Sequence, residues 1–136
     1  MAAELGIAPE KIRQGLQAFR RAERRFEILE SEPALEVVDD YAHHPKEVVA
    51  TWKAAQARGR ARIVAIFQPH RYTRLATFMT AFAEALAKAD LVVLLPVYAA
   101  GEREMEGFGV AELAAKIREL GGKVEVARSM PECQTI

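Results

Sequence analysis

Two short polar runs concentrate the side chains that could do chemistry: D-D-Y-A-H-H-P at residues 39–45 and F-Q-P-H-R-Y-T-R at residues 67–74. The second holds two guanidinium groups (Arg71, Arg74), an imidazole (His70) and a phenol (Tyr72). That is more donor capacity than a turn requires. Arg is the side chain best matched to a carboxylate or phosphate, so the cluster favours an anionic ligand. The plain alternative, a solvated turn with two surface arginines, is the better reading of any single Arg taken alone. The first run offers Asp39 and Asp40. At a strand end such a pair can hold a magnesium ion, accept hydrogen bonds from a ribose, or simply cap a helix, and capping and ligand binding stay equally open. The three histidines are His43, His44 and His70. Zinc needs three or four converging ligands and adjacent histidines seldom aim at one metal, so zinc is not favoured. A histidine titrating near neutrality can instead help deprotonate an amine or donate to a carboxylate, while His44 is placed to cap a helix starting at Pro45.

These runs need elements to hold them. Residues 62–67, R-I-V-A-I-F, form a β-branched apolar run that reads as a central strand buried on both faces. Pro69 ends it, which puts His70, Arg71, Tyr72 and Arg74 together on a loop. At the carboxyl end of a parallel strand, that loop faces the crevice where open α/β sheets bind ligands. Upstream, residues 7–19 place Ile12, Leu16 and Phe19 on one helical face, and Arg20, Arg21, Arg24 and Arg25 follow as a basic run. Residues 26–30 and 35–39 read as an antiparallel strand pair around Ser31-Glu32-Pro33. A helix over 45–58 buries Val48, Val49, Trp52 and Ala55 and stops at Gly59 in a left-handed cap. After the loop, Leu75, Phe78, Phe82 and Leu86 mark a second helix, and residues 91–97 a second buried strand. A loop over 98–109 leads to a third helix marked by Val110, Leu113, Ile117 and Leu120, stopped by Gly121-Gly122, and to a last strand over 123–127. The tail has little periodicity and reads as disordered. Strand and helix alternating at this length predict an α/β three-layer sandwich, with a mostly parallel sheet and an antiparallel edge near residues 26–39.

Composition bounds the reading. At 136 residues the chain is the size of one domain, and 19 Lys and Arg balance 19 Asp and Glu. There is no global basic field to draw nucleic acid or an acidic membrane surface, so an anion site must be local. The start has no signal core and no apolar run reaches membrane-spanning length, which predicts a cytoplasmic protein. Cys133 stands alone and cannot form an internal disulfide. A phosphoacceptor receiver domain would need an aspartate where Gln68-Pro69 stands, and no glycine-rich phosphate loop or G-x-G-x-x-G is present.

Together the two runs resemble the C-terminal domain of the Mur ligase family, in the group that joins L-alanine to UDP-N-acetylmuramate. R-R-F-E at residues 24–27 and V-Y-A-A-G-E at residues 97–102 add to the likeness. The resemblance implies a Rossmann-like domain over 23–136, with residues 1–22 as the end of a central ATPase domain and its linker. It also implies ATP and magnesium as cofactors, held mostly by that central domain, and a role in peptidoglycan synthesis. Partners would be L-alanine, UDP-N-acetylmuramate and the other two domains, with no nucleic acid and no membrane. Tyr41, His43, His70, Arg71 and Arg74 match the positions for L-alanine and its surroundings, and Arg25 and Asp40 match positions near the nucleotide phosphates and ribose. No residue is implied as catalytic in this chain alone, and none as a metal ligand. Ala42 stands where the family usually has glycine, Arg21 where a glycine often precedes R-R-F, and residues 106–109 where a proline-containing loop is common. The family's final glycine-rich segment is not visible, which implies truncation at the C-terminus. Two other readings stay open: a non-catalytic α/β module that binds anions or a partner, and the C-terminal domain of another Mur-type ligase.

Overall fold

The computed structural model describes residues 4–18 and 23–133, in two compact units, Met1–Tyr41 and Ala42–Ile136. The expected positions Phe19, Arg20 and Arg21 lie outside the described residues.

The first unit holds helix α1 (Pro9–Ala18) and strands β1 (Glu27–Ser31) and β2 (Glu36–Asp39). Helix α1 buries no residue, and Leu16 is exposed. The strands pair antiparallel, with a register shift between Ile28 and Glu30. They form a two-stranded sheet of their own. Its opening end is tied by Asp39, which accepts from Arg24 Nε at 2.9 Å, and by Asp40, which accepts from the Phe26 amide at 2.9 Å. Both carboxylates therefore satisfy local donors, beside Arg24 and Phe26, whose backbones carry positive φ of 56° and 49°.

The second unit runs α2 (Pro45–Gln56), β3 (Val64–Phe67), α3 (Tyr72–Leu86), β4 (Leu91–Leu94), α4 (Val110–Glu119), β5 (Val124–Val126) and a short α5 (Met130–Cys133). The three strands are parallel in the order β3-β4-β5. Crossovers of one hand, stepping in one direction along a sheet, leave their helices on one face. That face carries the core. Phe67, Val92, Leu94 and Val124 meet Val48, Leu75, Phe82, Leu113 and Ile117, side chains whose full burial stabilises by about 1.5–3 kcal/mol each. The opposite face holds a smaller cluster of Val93, Leu95 and Ala127, packed by Leu91 and by Cys133 of α5. The tail expected to be disordered thus supplies a turn of helix, and residues 134–136 lie outside the described region.

The class is the expected mixed α/β architecture, yet the expectation that residues 62–67 form a central strand buried on both faces fails. Strand β3 is the edge of the described parallel sheet, and Val64 and Ile66 are 46% and 59% exposed. Strand residues alternate between faces, so Ala65 and Phe67 meet the helical layer while Val64 and Ile66 face the opposite side. Gly59 adopts the left-handed conformation expected of it (φ 70°). Ala42, where a glycine would be usual, has no positive φ and packs against the core instead.

Candidate functional site

The site is built where β3 and β4 end side by side. Beyond β3 the chain turns at Pro69, and His70 pairs with Tyr98 in an isolated parallel bridge past both strands, one residue out of the β3–β4 register. The Tyr98 amide donates to Pro69 O and the Arg71 amide to Tyr98 O, both at 2.8 Å. Two polar loops are thereby locked together. His70 and Arg71 lie on the loop as expected, whereas Tyr72 opens α3 and Arg74 stands in its first turn. The helix begins earlier because Arg71 serves as its N-cap.

Arg71 is an unusual cap. Its backbone sits at φ 69°, ψ 136°, and its side chain makes no capping hydrogen bond. A non-glycine residue held there carries strain of about 1–3 kcal/mol, and such strain gathers at functional sites. The capping acceptor comes from elsewhere. Glu102 accepts from the Thr73 amide at 3.0 Å and from Thr73 Oγ1 at 2.7 Å, and its carboxylate lies 3.8 Å from Arg71 Nη1. The hydrogen bonds from Thr73, foremost, with the Arg71 charge behind them, hold the Glu102 carboxyl below its ordinary pKa.

The imidazoles converge on the same place. Arg74 Nη1 lies 3.3 Å from His70 Nδ1. A guanidinium only donates, so Nδ1 accepts and the ring proton belongs on Nε2. Consistent with a neutral ring, burial above all, then the charges of Arg74, Arg71 and His43, lower the His70 pKa, with Glu102 opposing. His43 stands 6.5 Å from His70 between ring centroids, and its Nδ1 is 3.6 Å from Glu47. His44, by contrast, is structural. It N-caps α2, accepting from the Lys46 amide at 3.3 Å while Glu47 reaches back to the His44 amide, and its ring packs edge-on to Phe78 at the kink in α3.

The second unit therefore brings His43, His70, Arg71 and Arg74 together. Arg25, Asp40 and Tyr41 belong to the first unit, where Tyr41 lies under Arg24 with the guanidinium carbon 5.1 Å from the ring centre. Glu102, Thr73 and Tyr98 are site residues that sequence reasoning missed. The available signal was positional: Val97–Glu102 follows the strand next to β3, so its polar end had to meet the His70 loop. Among the described residues no cluster of three or more His, Cys, Asp and Glu side chains could hold a metal ion. Nor is any helix among them long and apolar enough to cross a membrane.

The family model for the Mur ligase, glutamate ligase domain, matches residues 24–135. A UDP-N-acetylmuramate--L-alanine ligase of Methylobacterium nodulans is 43% identical over 132 residues, which cover 97% of this chain and 28% of the relative. Its counterpart in Bartonella henselae is 45% identical over 121 residues, 89% of this chain and 26% of the relative. The chain thus spans only about a quarter of the length of these curated relatives. Among solved structures, a UDP-N-acetylmuramate-alanine ligase of Thermotoga maritima superposes with a TM-score of 0.76 at 29% identity, covering 99% of this chain and 28% of that one.

Proposed function

The chain belongs to the Mur ligase, glutamate ligase domain family, and from that premise we propose that it is the amino-acid-binding domain of a longer ATP-dependent ligase, one that joins L-alanine to UDP-N-acetylmuramate in peptidoglycan synthesis. Residues 1–22 are then the end of a central ATPase domain with its linker, and residues 23–136 the C-terminal domain. A cytoplasmic location goes with this reading. The observation that carries it is the convergence of Arg71, Arg74 and a neutral His70 at the carboxyl end of β3. Two guanidinium groups neutralise one amino-acid carboxylate, His70 offers Nε2–H as a further donor, and a methyl side chain needs no charged partner. The family resemblance also assigns Tyr41 and His43 to the surroundings of the amino acid, and Arg25 and Asp40 to the nucleotide.

On this reading ATP and magnesium are held mostly by the central ATPase domain. No glycine-rich phosphate loop occurs in the sequence, and no metal-binding cluster occurs among the described residues. What this chain contributes is binding, orientation and charge neutralisation for the incoming amino acid. The rival is a non-catalytic module that uses the same basic loop to hold an anion or a partner. The test is Arg71→Ala in the full-length protein. Losing a charged hydrogen-bond partner costs about 2 kcal/mol, so the KM for L-alanine rises about 30-fold while the KM for ATP stays unchanged. An unaltered KM for L-alanine rejects the amino-acid assignment.

A further inference from the structure

We propose that Glu102 is a positioning residue for the amino-acid site, holding Arg71 at the working angle from the neighbouring loop. The inference rests on the reading of this site as one for an amino-acid carboxylate. Three observations carry it. First, the N-cap residue of α3 supplies no acceptor of its own: the Arg71 side chain makes no capping bond, and the amide of Thr73 finds its acceptor in Glu102, 29 residues away. Second, the same carboxylate spans both partners, taking the Thr73 hydroxyl at 2.7 Å and standing 3.8 Å from Arg71 Nη1. Third, Glu102 is itself fixed. It follows Ala100 and Gly101, both at positive φ (50° and 86°), and its amide donates to Ala99 O at 3.0 Å. The turn aims the carboxylate back toward the start of α3.

The arrangement solves a problem that a long, half-exposed guanidinium side chain creates. A flexible guanidinium loses rotational freedom when it binds a ligand, and a guanidinium already tethered loses less. Arg71 is half exposed, at 49%, against 21% for Glu102. A long side chain in that position would sample many rotamers without an anchor. Contact through a single Nη1 atom, at a distance longer than a tight ion pair, restrains the group without matching the two-pronged geometry that a substrate carboxylate can take up.

The experiment is a double-mutant cycle in the full-length protein, read as the KM for L-alanine with the KM for ATP as reference. Glu102→Ala removes tether and cap together. Glu102→Gln keeps one of the two acceptor oxygens that Thr73 uses and removes the charge, and it stands in for the alanine variant should that one fail to fold. Each is expected to raise the KM for L-alanine about fivefold or more, and in an Arg71→Ala background to add nothing, because both act through one guanidinium. A multiplicative effect with Arg71→Ala, or no effect of either Glu102 variant, overturns the positioning role and leaves the amino-acid assignment standing. If Arg71→Ala alone leaves the KM unmoved, the assignment and the positioning role fall together.

Discussion

At the scale of single residues, the site should make the domain sensitive to acid in two steps. The His70 pKa is held below its ordinary 6.5 in the folded chain, so on acidification the unfolded chain takes up this proton first. Stability is therefore undiminished above about pH 6.5 and falls as the pH drops through the folded value. Glu102, held below its ordinary 4.5, contributes stability above that value and loses it as the pH falls through its own folded pKa. Urea midpoints measured against pH should show the first decline in the native chain and not in His70→Gln. A decline of equal size in both would remove His70 as its source. What could be read in advance at this scale was whatever is local. His44 as a cap was legible because Pro45 and Glu47 follow at capping-box spacing. Glu102 was not, because its partners lie 29 residues away and no periodicity links them.

At the scale of elements, helical periodicity carried most of the information. Leu75, Phe82 and Leu86 on α3, and Leu113 and Ile117 on α4, are buried as their spacing predicts. The strand run was less informative, since V-A-I-F looks the same at the centre of a sheet and at its edge, and the exposure of Val64 and Ile66 is decided by neighbours rather than by the strand. The start of α3 was placed too late because Pro69 and two arginines read as loop, whereas a remote carboxylate supplies the cap. The Gly121-Gly122 stop was legible as a stop, but its tightness was not. Gly121 turns at φ 81°, and the Gly122 amide closes on Ile117 O at 2.9 Å. A Cβ on Gly122 would stand 2.7 Å from Ile117 Cγ2 and 3.0 Å from Ala87 Cα. Backbone cannot swing aside as a side chain can, so Gly122→Ala should destabilise the domain by about 1–3 kcal/mol. Chemical denaturation of the purified chain checks this, and an unchanged midpoint would mean that α4 and the end of α3 slide apart cheaply.

At the scale of the whole molecule, the core and the chemistry separate. The second unit encloses a continuous cluster from Val48 to Val124, enough for the chain to fold as purified. Catalysis is another matter, because positioning with charge stabilisation supplies most of the rate in phosphoryl transfer, and no phosphate loop occurs in this sequence. The chain alone should release no ADP with L-alanine and UDP-N-acetylmuramate. Adding separately produced sugar-nucleotide and ATPase domains should restore turnover. Activity of the chain by itself would contradict this division of labour.

Retention of arginine at position 71 bears on how durable the fold can be. The Arg71 dihedrals, φ 69° and ψ 136°, belong to a region that glycine visits with ease and other residues do not. A selection for heat resistance alone would be drawn to glycine at this position, relaxing the turn while discarding the guanidinium proposed to meet the substrate carboxylate. Durability and ligand recognition therefore pull in opposite directions on one pair of torsion angles, and retaining arginine there means a less durable protein than this fold could otherwise give.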